Sequence, residues 1–105
     1  MEILRKLSYD GVVSIPAVRD IPDACFEGDR DIYYAVVSNS TNSIQSQAFA
    51  GCQNLISIKI PSSVLQIAQD AFDRCEKLTI FTEEVNHAQV FAQQNGIAYQ
   101  LIGAD

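Results

Sequence analysis

A chain of 105 residues with 48% apolar and 19% charged side chains has the size and composition of one folded domain with one core, not of a disordered segment. Its formal net charge is −6 and its pI about 4.5, and seven Lys and Arg side chains do not supply the basic face that a phosphate backbone or an anionic membrane requires. Nucleic acid is therefore not an expected partner. Met1–Asp10 has no apolar run of signal-peptide length, and no stretch approaches the roughly 20 apolar residues of a membrane span. As it stands the chain is expected in the cytoplasm, or as a piece of something larger, without membrane insertion.

From the N-terminus, Lys6–Ser8 and Val12–Ile15 flank Asp10-Gly11, a two-residue turn signal that predicts a strand pair. Beyond residue 20 the sequence repeats with a period of 23: Ile21, Ile44 and Ile67 align, and so do Phe26, Phe49 and Phe72. The next columns are Ile32, Leu55 and Leu78, and then Ala35, Ile58 and Phe81. Self-similarity at such spacing marks a solenoid, because a unit this small cannot bury its own apolar face and must lean on its neighbours.

Within a unit, Ile44, Ala48 and Cys52 recur at i, i+4 and i+8 with Phe49 beside them, predicting a short helical turn with one inward face. Gly28 and Gly51 suit the left-handed residue that ends such a turn; Arg74 in the third unit predicts a different turn there. Leu55–Ile60 is rich in branched residues and stops at Pro61, so it reads as a strand with Leu55, Ile58 and Ile60 inward and Ser57 and Lys59 outward. One such strand per unit gives a single parallel, curved sheet with strands about 4.8 Å apart.

After the third unit, Asn86 with Gln89 three residues on predicts a capping-box start to a helix. Val85, Ala88, Phe91 and Ala92 line one face of it, and Asn95-Gly96 ends it. Ile97, Tyr99 and Leu101 then alternate like a strand.

Residues with reactive chemistry read as structural. Cys52 and Cys75 lie one unit apart in an apolar column, Cys25 shares a column with Ala48 and Ala71, and no paired C-x-x-C spacing suggests zinc. His87 is the only histidine and has no nucleophile at a recognisable spacing. The acidic residues Asp20, Asp23, Glu27, Asp29 and Asp31 lack calcium-loop spacing and are expected to form a solvated face. Neither catalysis, metal nor cofactor is expected.

Leu55, Ile58, Ile60, Val64 and Ile67 fit leucine-rich-repeat spacing. The segments Ala48-Phe49-Ala50-Gly51-Cys52-Gln53-Asn54-Leu55 and Ile58-Lys59-Ile60-Pro61-Ser62-Ser63-Val64-Leu65-Gln66-Ile67 resemble the BspA-like branch of that family. Its units carry A-F-x-G-C-x-x-L followed by I-x-I-P-x-x-V-x-x-I. The likeness is closest from Ile44 to Leu78; in the first unit Asp29 stands where the pattern has Cys, and Ser38 where it has Pro. Residues 91–97 also resemble the segment that closes many members.

The resemblance implies an α/β fold: a short right-handed leucine-rich-repeat solenoid capped at both ends. Residues 1–20 would form the N-terminal cap, residues 21–43, 44–66 and 67–84 three repeats, and residues 85–105 a C-terminal cap of helix and strand. Family members are mostly bacterial surface or secreted adhesion proteins, so the function implied is a non-enzymatic module binding a protein partner. The alternative is a structural unit that self-associates through its terminal strand edges; a monomer or weak homo-oligomer is expected. If the 23-residue register holds throughout, the outward strand positions are Tyr34, Val36, Ser38, Ser57, Lys59, Ile80 and Thr82. Tyr34, Val36, Ser57, Lys59 and Thr82 are the expected partner contacts, with Tyr34 as aromatic anchor and Lys59 favouring an acidic group.

Overall fold

The computed structural model describes residues 8, 9, 11–83 and 86–102; for Ser8 and Tyr9 it describes the backbone. Lys6, Leu7 and Asp10 of the predicted hairpin, and Val85 of the predicted helix face, lie outside the described residues. Two sheets run along the molecule. The larger is built from β1 (Ser8–Tyr9), β2 (Val12–Ser14), β4 (Tyr34–Val36), β6 (Ser57–Lys59), β8 (Thr79–Thr82) and β9 (Ala98–Leu101), neighbours in that order. Only the β1–β2 pair is antiparallel, and it flanks Gly11, whose φ of 82° is the left-handed value that a tight hairpin needs.

The smaller sheet consists of β3 (Asp20–Ile21), β5 (Ser43–Ile44) and β7 (Gln66–Ile67), all parallel. The expected single sheet is therefore corrected to two. The isoleucines that mark the period are themselves paired strand residues, because a two-residue strand suffices when the unit above repeats it. Strand β2 is also a parallel member of the large sheet, registered Val12↔Tyr34, so the solenoid has about four turns and not three.

The segments between the two sheets are chains of tight turns and not helices. Ala48 N–H donates to Gln45 O, Ala50 N–H to Gln47 O and Cys52 N–H to Phe49 O. Gln47 and Gly51 take φ of 58° and 73°, which a right-handed helix cannot contain. The intervening amides, Phe49 and Gly51, donate instead to Ala71 O and Asp73 O of the next unit, at 2.8 and 2.7 Å. Arg74 does not alter the third turn as expected: it occupies the same left-handed region, φ 62°, that Gly28 and Gly51 occupy at 74° and 73°.

The core lies between the sheets and the turns. Phe26, Phe49 and Phe72 stack with centroids 5.1 and 5.4 Å apart and planes within 13°, and Phe91 of the helix α1 (His87–Gln94) meets Phe72 edge-on at 6.0 Å. Asn86 caps α1, its Oδ1 accepting from Ala88 and Gln89 N–H at 2.9 and 3.3 Å. The reciprocal half of the predicted box is absent: Gln89 Oε1 has no hydrogen-bond partner among the described residues, while its Nε2 donates to Tyr99 Oη. Gly96, φ 67°, ends the helix, with Ile97 N–H closing back on Ala92 O at 2.9 Å.

One register expectation fails. Ser57 pairs with Thr79 and Ile58 with Ile80, a step of 22, so Ile80 and Thr82 are buried and Phe81 lies on the outer face. The 23-residue column survives as far as Leu78, then loses one residue; three positions separate Leu55 from Ile58 but only two separate Leu78 from Ile80. A one-residue slip exchanges the two faces of a strand.

Replacing Phe49 by Ala should cost about 3–5 kcal/mol, since it opens a cavity between two stacked rings; the chemical-denaturation midpoint checks it. Gly51→Ala should cost about 1–2 kcal/mol through its left-handed backbone. Arg74→Gly should leave stability unchanged or raise it, by calorimetry on the same variants.

Candidate binding surface

Alternation along three- and four-residue strands sends every second side chain away from the core, and the parallel register lines these up in two rows. One row is Val12, Tyr34, Ser57, Thr79 and Ala98; the other is Ser14, Val36, Lys59, Phe81 and Gln100. Tyr34 is 47% exposed, Val36 41% and Val12 39%. At the strand entrances Tyr33 and Ile56, one unit apart, are exposed as well, so the apolar patch continues beyond the rows. The Tyr33 ring lies against Gly11, where an added Cβ would come within 2.8 Å of Tyr33 Cδ1. Glycine at the hairpin thereby lets an aromatic ring sit flat at the edge of the patch.

Of the expected contacts, Tyr34, Val36, Ser57 and Lys59 come together on this face. Thr82 does not: it is fully buried, a consequence of the one-residue slip. Its place in the array is taken by Thr79 and Phe81, which the 23-residue column had turned inward or left out. Val12, Tyr33 and Ile56 were also not anticipated; Val12 was read only as part of a hairpin, and its parallel pairing with Tyr34 is what brings it here. Lys59 is not a free cation, because its Nζ lies 3.0 Å from Glu83 Oε1. Both side chains are well exposed, so the pair is worth about 0–1 kcal/mol.

The turn side differs in character. Its acidic residues are not merely solvated: Asp20 accepts from Ser43 Oγ at 2.6 Å, Asp23 from Ser46 N–H at 3.1 Å, and Asp70 from Ser46 Oγ at 3.0 Å and Gln47 N–H at 3.3 Å. Each ties one coil to its neighbour. His87 is exposed at the start of α1. The cysteines are free thiols. Cys52 Sγ donates to Phe26 O at 3.1 Å and Cys75 Sγ to Phe49 O at 3.0 Å, so each thiol bonds back to the preceding coil. Hydrogen bonding with Cys75, and then burial, push the Cys52 thiol well above its ordinary range, which keeps it neutral and unreactive. Among the described residues no group of His, Cys, Asp and Glu is arranged to hold a metal ion, and no helix is long and apolar enough to cross a membrane.

The chain belongs to the BspA-type leucine-rich repeat family: the family model described as "BspA type Leucine rich repeat region (6 copies)" matches residues 17–95. No curated protein and no solved structure shows significant similarity to it. Leucine-rich repeats are protein-interaction modules and typically not enzymes.

The burial order predicts the order of thiol chemistry. Cys75 is half-buried while Cys25 and Cys52 are buried. A thiol reagent should label Cys75 first in the native protein, and the other two only on unfolding, as mass spectrometry of digests would show.

Proposed function

We propose that this protein is a non-enzymatic interaction or adhesion module that binds a protein partner through the outer face of the large sheet. The supporting observation is the contiguous exposed patch of Val12, Tyr34 and Val36, extended by Tyr33 and Ile56. A merely solvated strand face carries polar side chains at these positions, whereas interface centres are enriched in aromatic residues. The parallel ladder holds the array rigidly, so binding orders little that is not ordered already. Tyr34 is the anchor, with Val36 and Ser57 beside it. Lys59, held by Glu83, lies between Val36 and Phe81, so apolar contact and not a free charge leads recognition.

A second reading, self-association, draws on β9. This edge strand, Ala98–Leu101, has no charged residue and no proline, and all four of its residues are exposed. Concentration-dependent light scattering separates the two readings: a constant monomer mass favours partner binding.

The direct test places a photo-crosslinking amino acid at position 34, 27 or 47 and exposes each protein to extract of the source cells. Position 34 should capture a specific protein while positions 27 and 47 on the turn side do not. Tyr34→Ala should then weaken that complex by tenfold or more, about 1.4 kcal/mol, with thermal stability nearly unchanged. Capture from 27 or 47 alone would move the site to the turns.

A further inference from the structure

The turns are joined to one another by a backbone ladder that runs in one direction. Phe26 and Gly28 N–H donate to Ala48 O and Ala50 O, each at 2.7 Å; Phe49 and Gly51 N–H donate to Ala71 O and Asp73 O at 2.8 and 2.7 Å. The same two positions of the third turn are Phe72 and Arg74. Their N–H groups have no acceptor among the described residues. Helix α1 continues the column of rings through Phe91, but none of its carbonyls accepts from Phe72 or Arg74 N–H. The ring stack therefore goes on where the amide ladder stops.

What lies at that point is a recess of about 450 Å³ between the third turn and residues 95–98, lined by Gln69, Phe72, Arg74, Cys75, Gly96 and Ala98 among others. Its size falls within the roughly 300–1,000 Å³ of ordinary ligand pockets. Cys75, whose counterpart Cys52 is sealed by the next coil, is only half-buried at this recess.

We propose that this recess is a second binding site, separate from the strand face, which takes a short turn-forming peptide segment of a protein partner. Two carbonyls of that segment, two residues apart, accept from Phe72 and Arg74 N–H as successive coils do inside the molecule. The molecule itself supplies the pattern twice, through Ala48 with Ala50 and through Ala71 with Asp73. In both internal cases the residue between the carbonyls is a phenylalanine that joins the ring stack. Here Phe91 already fills that slot, so the bound segment carries a small residue there. The recognised chemistry is thus an alanine- or glycine-rich turn, read through its backbone.

The probe is a capped peptide of the second-turn sequence, residues 45–52, carrying Phe49→Ala and Cys52→Ser, titrated into the full-length ¹⁵N-labelled protein. In the free protein the Phe72 and Arg74 amides should exchange with solvent faster than those of Phe49 and Gly51. Saturating peptide should shift both resonances and slow their exchange about tenfold or more, while the Tyr34 amide stays in place. Gln69→Trp, which narrows the recess from its exposed rim, should abolish these changes, and Gln47→Trp should not. Three results would overturn the proposal: the two amides already as protected as Phe49 and Gly51, peptide shifts confined to the strand face or absent, or protection that rises with protein concentration alone. The last would make a second copy the occupant. None of these outcomes bears on crosslinking from position 34, so this site and the strand face stand or fall separately.

Discussion

No coil of this protein can bury its own apolar side chains, and the hydrogen bonds from one turn to the next are what bring the neighbouring coil close enough to do it. Turn amides donate forward to the carbonyls of the following turn, and the cysteine thiols donate back to those of the preceding one. Between these two sets of bonds the phenylalanine rings are held a little over 5 Å apart and nearly parallel. The core is continuous because the backbone ladder is.

That ladder requires amides to point along the solenoid axis and not along the chain, which a helix forbids. The left-handed residues at Ala24, Gln47, Gly28, Gly51 and Arg74 break the helical path and turn the amides outward. Only two of the five are glycine, so the stacking contacts must exceed the roughly 1–2 kcal/mol that each of the other three costs. Side chains supplement the backbone where it falls short. Asp70 accepts from Gln47 N–H and Ser46 Oγ, and buried Thr41 Oγ1 donates to Val18 O at 2.7 Å while its carbonyl accepts from Ser63 Oγ at 2.8 Å. Polar residues inside a small solenoid thus act as further rungs.

The same stacking shapes the surfaces. A strand of three residues presents two outward side chains at most, and a usable contact area arises only when neighbouring coils contribute theirs in register. Val12 and Tyr34 are 22 residues apart and become adjacent only through β2–β4 pairing. At the far end of the ladder the Phe72 and Arg74 amides have no acceptor among the described residues, unlike their counterparts in the first two turns.

The period of large apolar residues was enough to establish the solenoid and nearly the whole core, because burial of Ile21, Phe26, Ile32, Ile44, Phe49, Leu55 and Ile58 follows from residue type alone, while the motifs of residues 48–55 and 58–67 carried the resemblance to the family. Helix α1 was legible for the same local reason: a capping asparagine and a stopping Asn-Gly act within one turn of chain. The outward positions of the first two strands were legible by alternation. What the sequence could not supply was anything that depends on counting across a coil. The residue lost between Leu78 and Ile80 changes no residue's character, yet it turns Thr82 inward and Phe81 out, and only the pairing of β6 with β8 reveals it. The left-handed conformation of Arg74, the second sheet and the Lys59–Glu83 pair were likewise decided by tertiary structure, as was the lack of an acceptor for the Phe72 and Arg74 amides among the described residues, since each depends on the adjacent coil and not on the residue's own neighbours in the chain.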